Sequence, residues 1–233
     1  MGFHFQFDPI IAEWRFILDG LLLTVWLSLG AIVLGSALAV LLTAARQLGG
    51  WAVGLFVEAY VELMRNTPFL VQLFLIFFGL SGLGVRLSAT EAALLAMTLN
   101  LAAYCAEIIR AGVDSTHRSQ REAGLSLALT RRQVLQHIVL IPAVAKVWPA
   151  LSSQFVLMML ASSICSFVSA QELSGVTAIV EQRTFRSFES YIVATVLYLL
   201  LALALKALLA IVGRLAFPRV SGLARLRTKG EAA

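Results

Sequence analysis

The sequence predicts an all-α, polytopic membrane bundle of about five transmembrane helices, and three observations predict it. Only 13% of the 233 residues are charged, against about 25% in a typical soluble domain. The hydrophobic share is 60% and the mean hydropathy +0.88, concentrated in blocks near the roughly 20 residues that cross a bilayer core. The basic residues gather in the connections on one side of these blocks. A single domain over 1–233 follows, with a core over 17–213, a cytoplasmic loop over 115–142 and a basic tail over 214–233.

The first span is clearest, because Gly20 to Ala45 carries no charge between Asp19 and Arg46. Within it Ala31, Gly35 and Ala39 form a small-xxx-small stripe for close helix contact. Trp51 to Arg65 reads as a charged helix near the cytoplasmic interface, or one with Glu58, Glu62 and Arg65 paired inside the bundle. Thr67-Pro68 then reads as an N-cap with a first-turn proline. The second span runs to about Leu83, the third from Ser88 to Ile109, and the fourth from Pro149 to about Ala170. Glu172 to Glu189 reads as a polar loop. The fifth span is Tyr191 to Val212, with Lys206 near enough to its end to snorkel. The N-terminal segment lacks a basic region before an apolar core and reads as retained.

Loop charge sets the orientation. Arg46, the group Arg110, Arg118, Arg121, Arg131, Arg132 and Lys146, and the basic tail share one side, which the positive-inside rule assigns to the cytoplasm. The N-terminus is then periplasmic and the C-terminus cytoplasmic. The net charge of +5 is explained the same way, without nucleic acid. Cys105 and Cys165 sit in apolar runs as small packing residues, and no metal-ligand spacing occurs. No G-x-x-x-x-G-K-[ST] occurs either, so the chain carries no ATPase motif of its own, and no hydrolase motif is present.

Two constellations stand out. Ser162, Ser163, Ser166 and Ser169 put hydroxyls along the fourth span, and Asn100, Tyr104 and Glu107 share one face of the third. They read either as a polar substrate path or as helix packing, with Glu107 paired to Arg110 at i+3 in the second case. The loop His117 to Leu151 repeats apolar residues at helical spacing, with a break at Ser126–Thr130. An amphipathic loop of this kind wants a partner to cover it.

Three stretches carry a resemblance. QREAGLSLALTRRQVLQHIVL resembles the E-A-A loop of bacterial ABC importer permeases. AYCAEIIRAGVDS (Ala103–Ser115) and YVELMRNTPFLVQLFLIFFGL (Tyr60–Leu80) resemble the segments that accompany it in the polar amino-acid subfamily (histidine, glutamine, arginine and glutamate types). The resemblance covers about Gly20 to Leu209. It implies an inner-membrane permease subunit that moves amino acids, with Glu122, Ala123, Gly124, Leu125, Ala128 and Leu129 coupling it to an ATPase. It further implies two ATP-binding subunits carrying ATP and Mg, a second permease subunit, related or identical, an extracytoplasmic amino-acid-binding protein, and lipid around the bundle. Asn100, Tyr104, Ser162, Ser163 and Ser166 are then expected on the substrate path. The alternatives are a self-contained secondary transporter or channel, relying on Glu107 or the Glu58/Glu62 pair, and a membrane scaffold.

Three departures mark this chain. Gly124 stands where the family has the second alanine of E-A-A. Ala128 stands where it has a glycine. Leu160-Ala161 replaces a Lys followed by Asp or Asn.

Overall fold

The computed structural model describes residues 5–217; the basic tail beyond Phe217 lies outside the described residues. Among the described residues nine helices follow one another: α1 (Asp8–Ala12), α2 (Trp14–Leu48), α3 (Trp51–Arg65), α4 (Phe69–Gly82), α5 (Ala89–Asp114), α6 (Arg118–Ser126), α7 (Arg131–Val168), α8 (Leu173–Thr184) and α9 (Ser187–Ala216). Among the described residues α2, α5, α7 and α9 are long and apolar enough to cross a membrane, and the bent pair α3–α4 reaches that length and hydropathy only when its two halves are taken together.

The central helix is α5, whose residues are the most buried of the four long helices. Its start is fixed by a capping box in which Ser88 and Glu91 exchange hydrogen bonds. α2 packs along it through the small-residue stripe, with Ala31 and Ala39 fully buried. A Cβ added at Gly35 would sit 3.2 Å from Leu101 Cβ and 3.2 Å from Thr98 O, so the stripe sets the interhelical distance. Thr24, Ser28 and Thr43, all buried, donate to the carbonyls four residues earlier, which satisfies their hydroxyls inside an apolar helix.

α3 and α4 meet at 109° across Asn66–Pro68. The proline is not the first helical residue, as its spacing after Thr67 suggests; Pro68 itself is the N-cap, with an extended backbone. Thr67 instead donates back to Leu63 O at 2.7 Å. Buried Gln72 closes the break. Its Nε2 donates to Met64 O at 2.8 Å and to Thr67 Oγ1 at 2.8 Å, supplying donors where the helix has stopped supplying them.

Two boundaries differ from the sequence reading. The helix that carries the fourth span begins well before Pro149: α7 runs unbroken from Arg131, opened by a Thr130–Gln133 capping box, and Pro149 lies inside it. A proline removes one backbone donor, and packing along α5 carries the helix through. The segment after Glu172 is also not an irregular loop. Glu172 caps α8, whose Leu173, Val176 and Val180 form a buried stripe with Ile10 and Ile17 of α1 and α2. Both cysteines are buried and free.

Candidate functional site

The two ends of the bundle each hold a candidate site. Residues Ser162–Val168 tighten into a 3-10 helix. Ser162 donates to Met159 O at 2.7 Å, Ser163 to Leu160 O at 2.9 Å and Ser166 to Ser163 O at 2.7 Å. Every bond spans three residues, which matches the three-residue 3-10 turn. The segment ends at Ser169 in the left-handed region, φ 66°. The chain then turns into Glu172, which is fully buried.

Glu172 is the polar centre of this end. Its carboxylate accepts from Ser174 N at 3.0 Å and Gly175 N at 2.9 Å, the open N–H groups of α8. Tyr198 of α9 donates its hydroxyl to the same carboxylate at 2.6 Å. Beside it, Leu173 N donates to Thr24 Oγ1 of α2 at 3.0 Å. Burial pushes the Glu172 carboxyl above the ordinary carboxylate range, and the bonds from Tyr198, Ser174 and Gly175 offset part of that rise. Against this hub lies a cavity of about 320 Å³ lined by Ser166, Ser169, Gln171, Gly175 and Gln182 among others.

The predicted polar residues separate on this frame. Asn100 and Ser162 are buried and do not line that cavity. Asn100 Nδ2 donates to Gln72 Oε1 at 2.9 Å and so holds the α3–α4 break to α5. Tyr104 stacks under the Arg65 guanidinium, 5.8 Å from ring centre. Ser163 is half-buried, and Ser166 reaches the cavity. Glu107 is bound by Arg110 through two oxygens, at 2.9 and 2.5 Å, with Arg65 at 3.4 Å. A carboxylate matched by two guanidiniums is poorly suited to carry protons, which removes the main support for a secondary transporter.

At the other end α6, a left-handed turn and α7 form a helical hairpin. Gly124 is buried in its crease: an added Cβ would sit 2.5 Å from Ile138 Cδ1 and 3.0 Å from Val134 Cγ2. Its lack of a side chain therefore serves packing within the hairpin rather than the approach of a partner. Ala128, at the family's glycine position, adopts the left-handed conformation a glycine favours, φ 58°. The turn is kept, and the Cβ is strained. Arg121 NH2 donates to Val113 O at 2.8 Å and ties the hairpin to α5. Leu129 is half-buried against the core.

The outward face is different in kind. Glu122 is exposed and, among the described residues, pairs with Arg118 of its own helix at 2.7 Å. Ala123 and Leu125 are exposed, and Leu127, which the sequence reading passed over, is 76% exposed. Leu125 also borders a cavity of about 280 Å³ with Gln47, Leu48, Arg121 and Val134. Leu127 was hidden because it falls off the helical stripe, beside the left-handed turn that turns it outward. Glu172 and Gln72 carried no motif; the one signal was a carboxylate followed by an apolar residue at each helical turn, Leu173, Val176 and Val180.

Membrane-spanning helices, a break between α3 and α4 and an apolar hairpin exposed at one end describe a multi-pass membrane subunit with a face left for a partner. The chain belongs to the family of binding-protein-dependent transport system inner membrane components, whose model matches residues 31–221. It is a multi-pass inner-membrane protein of that family. The glutamine transport system permease protein of Escherichia coli is 30% identical over 208 residues, 88% of this chain and 95% of the relative. A probable glutamine ABC transporter permease protein of Bacillus subtilis is 36% identical over 176 residues, 76% of this chain and 80% of the relative. Among solved structures, a chain in the crystal structure of an amino acid ABC transporter with histidines superposes with a TM-score of 0.82 at 30% identity. That match covers 91% of this chain and 99% of the other.

Proposed function

We propose that this chain is the membrane-spanning permease subunit of an ABC importer that moves amino acids into the cytoplasm. Energy comes from ATP and Mg on two separate ATP-binding subunits. A second permease subunit, identical or related, completes the path, and an extracytoplasmic binding protein delivers the cargo. The N-terminus is periplasmic and the C-terminus cytoplasmic, in line with the one-sided arginines.

The observation that carries this reading is the α6 hairpin. Its crease is filled by its own residues at Gly124, while Glu122, Ala123, Leu125 and Leu127 are exposed on its outer side. A rigid hairpin with exposed apolar anchors suits a groove on an ATPase, and Ala128 and Leu129 hold its turn. Closure of two ATPases would move two such hairpins together and bias the bundle between inward-open and outward-open states. Ser163 and Ser166 belong to the cargo path beside the Glu172 hub. Tyr104 joins them where the path reaches the α3–α4 break, whereas Asn100 and Ser162 shape its wall.

The test is ATP hydrolysis by the co-purified complex in vesicles, with binding protein and each amino acid in turn. At least one polar amino acid, glutamine first among them, should raise hydrolysis and enter the vesicles. Uptake by this chain without an ATPase would overturn the reading.

A further inference from the structure

Lys206 stands ten residues before the end of α9, about 15 Å along its axis from Ala216 and close enough to the end of the span for its ammonium to snorkel toward the headgroups. It is exposed and makes no ion pair with any described residue. A groove of about 600 Å³ between α7 and α9 contains it, walled by Trp148, Pro149, Ser152, Val156 and Leu157. Trp148 fixes one end: its Nε1 donates to Leu209 O at 3.1 Å, and its ring packs against Phe155 and Phe217. Two further exposed cations, Lys146 on α7 and Arg214 on α9, follow within a few residues of the groove toward that same end of the two helices. Neither is ion-paired among the described residues. From Ile141 to Ala161 α7 has no acidic residue, and the single acid of α9, Glu189, lies in its first turn at the opposite end.

We propose that this groove binds one anionic phospholipid, its phosphate held by Lys206 with Lys146 and Arg214 at the mouth and an acyl chain along Val156 and Leu157. A lysine at this depth needs either water or an anion, and the groove walls supply no anion. A second copy of this chain meeting the same face would set its own Lys206 against this one. A lipid phosphate with an attached chain matches both the charge and the apolar wall. That the lipid comes from the cytoplasmic leaflet rests on the orientation proposed above.

Trp148 makes the groove readable. In the full chain with Trp14, Trp26 and Trp51 replaced by phenylalanine, its fluorescence is followed in phosphatidylcholine vesicles. These carry increasing dibrominated phosphatidylglycerol or dibrominated phosphatidylcholine. The anionic lipid should quench at a mole fraction at least about fivefold lower, the effect expected of one basic residue near a membrane surface. Lys206→Leu should remove about fivefold of that preference, and Lys206→Arg should keep it. Equal quenching by the two lipids, or a preference unchanged in Lys206→Leu, would overturn the site. Absence of quenching by either lipid would also overturn it, since another protein surface would then fill the groove. Bromines in both leaflets make the readout independent of orientation. No ATPase takes part, so failure here and failure of the importer reading are distinct results.

Discussion

The Glu172 end of the bundle and the α6 hairpin satisfy their polar and apolar groups in opposite ways. At the first, a fully buried carboxylate is met by two backbone N–H groups of α8 and a tyrosine of α9, and the neighbouring Leu173 N–H bonds Thr24 of α2, so three helices are tied. At the second, the acidic residue spends its charge on a neighbour of its own helix, and leucines remain open. The contrast teaches that burial and completeness mark the part that must hold its shape. Exposure of apolar side chains on a rigid turn marks the part that must meet something else.

The largest expected effect breaks the complete end. Glu172→Ala strands the Tyr198 hydroxyl and two N–H groups and should destabilise the bundle by about 3 kcal/mol, read as thermal unfolding in detergent. Its pH dependence sharpens the point. Because the folded state raises this carboxyl, its favourable contribution is complete below the ordinary carboxylate range and is lost as the pH rises through the raised value. Glu172→Gln should flatten that slope; an equally steep slope in the variant would assign it to another group.

Next comes the crease of the hairpin. Gly124→Val drives a side chain into Ile138 and Val134 and should cost about 2 kcal/mol. The damage should stay local, seen as faster amide exchange over α6 with α5 unchanged. Uniform exchange changes across the bundle would contradict a self-contained hairpin.

The smallest effect goes the other way. Ala128→Gly relieves the strained left-handed backbone and should stabilise the turn by about 1 kcal/mol, measurable as slower exchange at Leu129 and Thr130. A loss of protection there would mean that the Ala128 methyl packs usefully after all.

The sequence made the membrane spans readable because charge is excluded from them in long blocks, and the small-residue stripe Ala31, Gly35, Ala39 revealed the most extensive helix contact, that of α2 along α5. It also revealed the break at Ser126–Thr130, where Thr130 and Gln133 form a capping box. It hid α8, because a helix whose N-cap is a buried glutamate looks like a polar loop until Tyr198, 26 residues on, is brought beside it. It misplaced the start of α7, because Pro149 reads locally as a boundary while tertiary packing along α5 decides otherwise. For the candidate site, hydroxyl clustering marked the Ser162–Ser169 segment. Which hydroxyls reach a cavity depended on the 3-10 winding, and that is set by bonds to carbonyls three residues back.

If energy enters the bundle at the outward leucines of the α6 hairpin, those leucines must hold the ATPase, and its retention is the measurement to make. In Leu125→Asp/Leu127→Asp the bundle should melt at the wild-type temperature, because both side chains are exposed. Affinity for the co-expressed ATPase should fall by about 30-fold, the loss expected of at least one interface anchor. Stimulation of hydrolysis by cargo should vanish with it. A variant that keeps the ATPase and its stimulation at wild-type levels would place the coupling surface elsewhere and contradict the account.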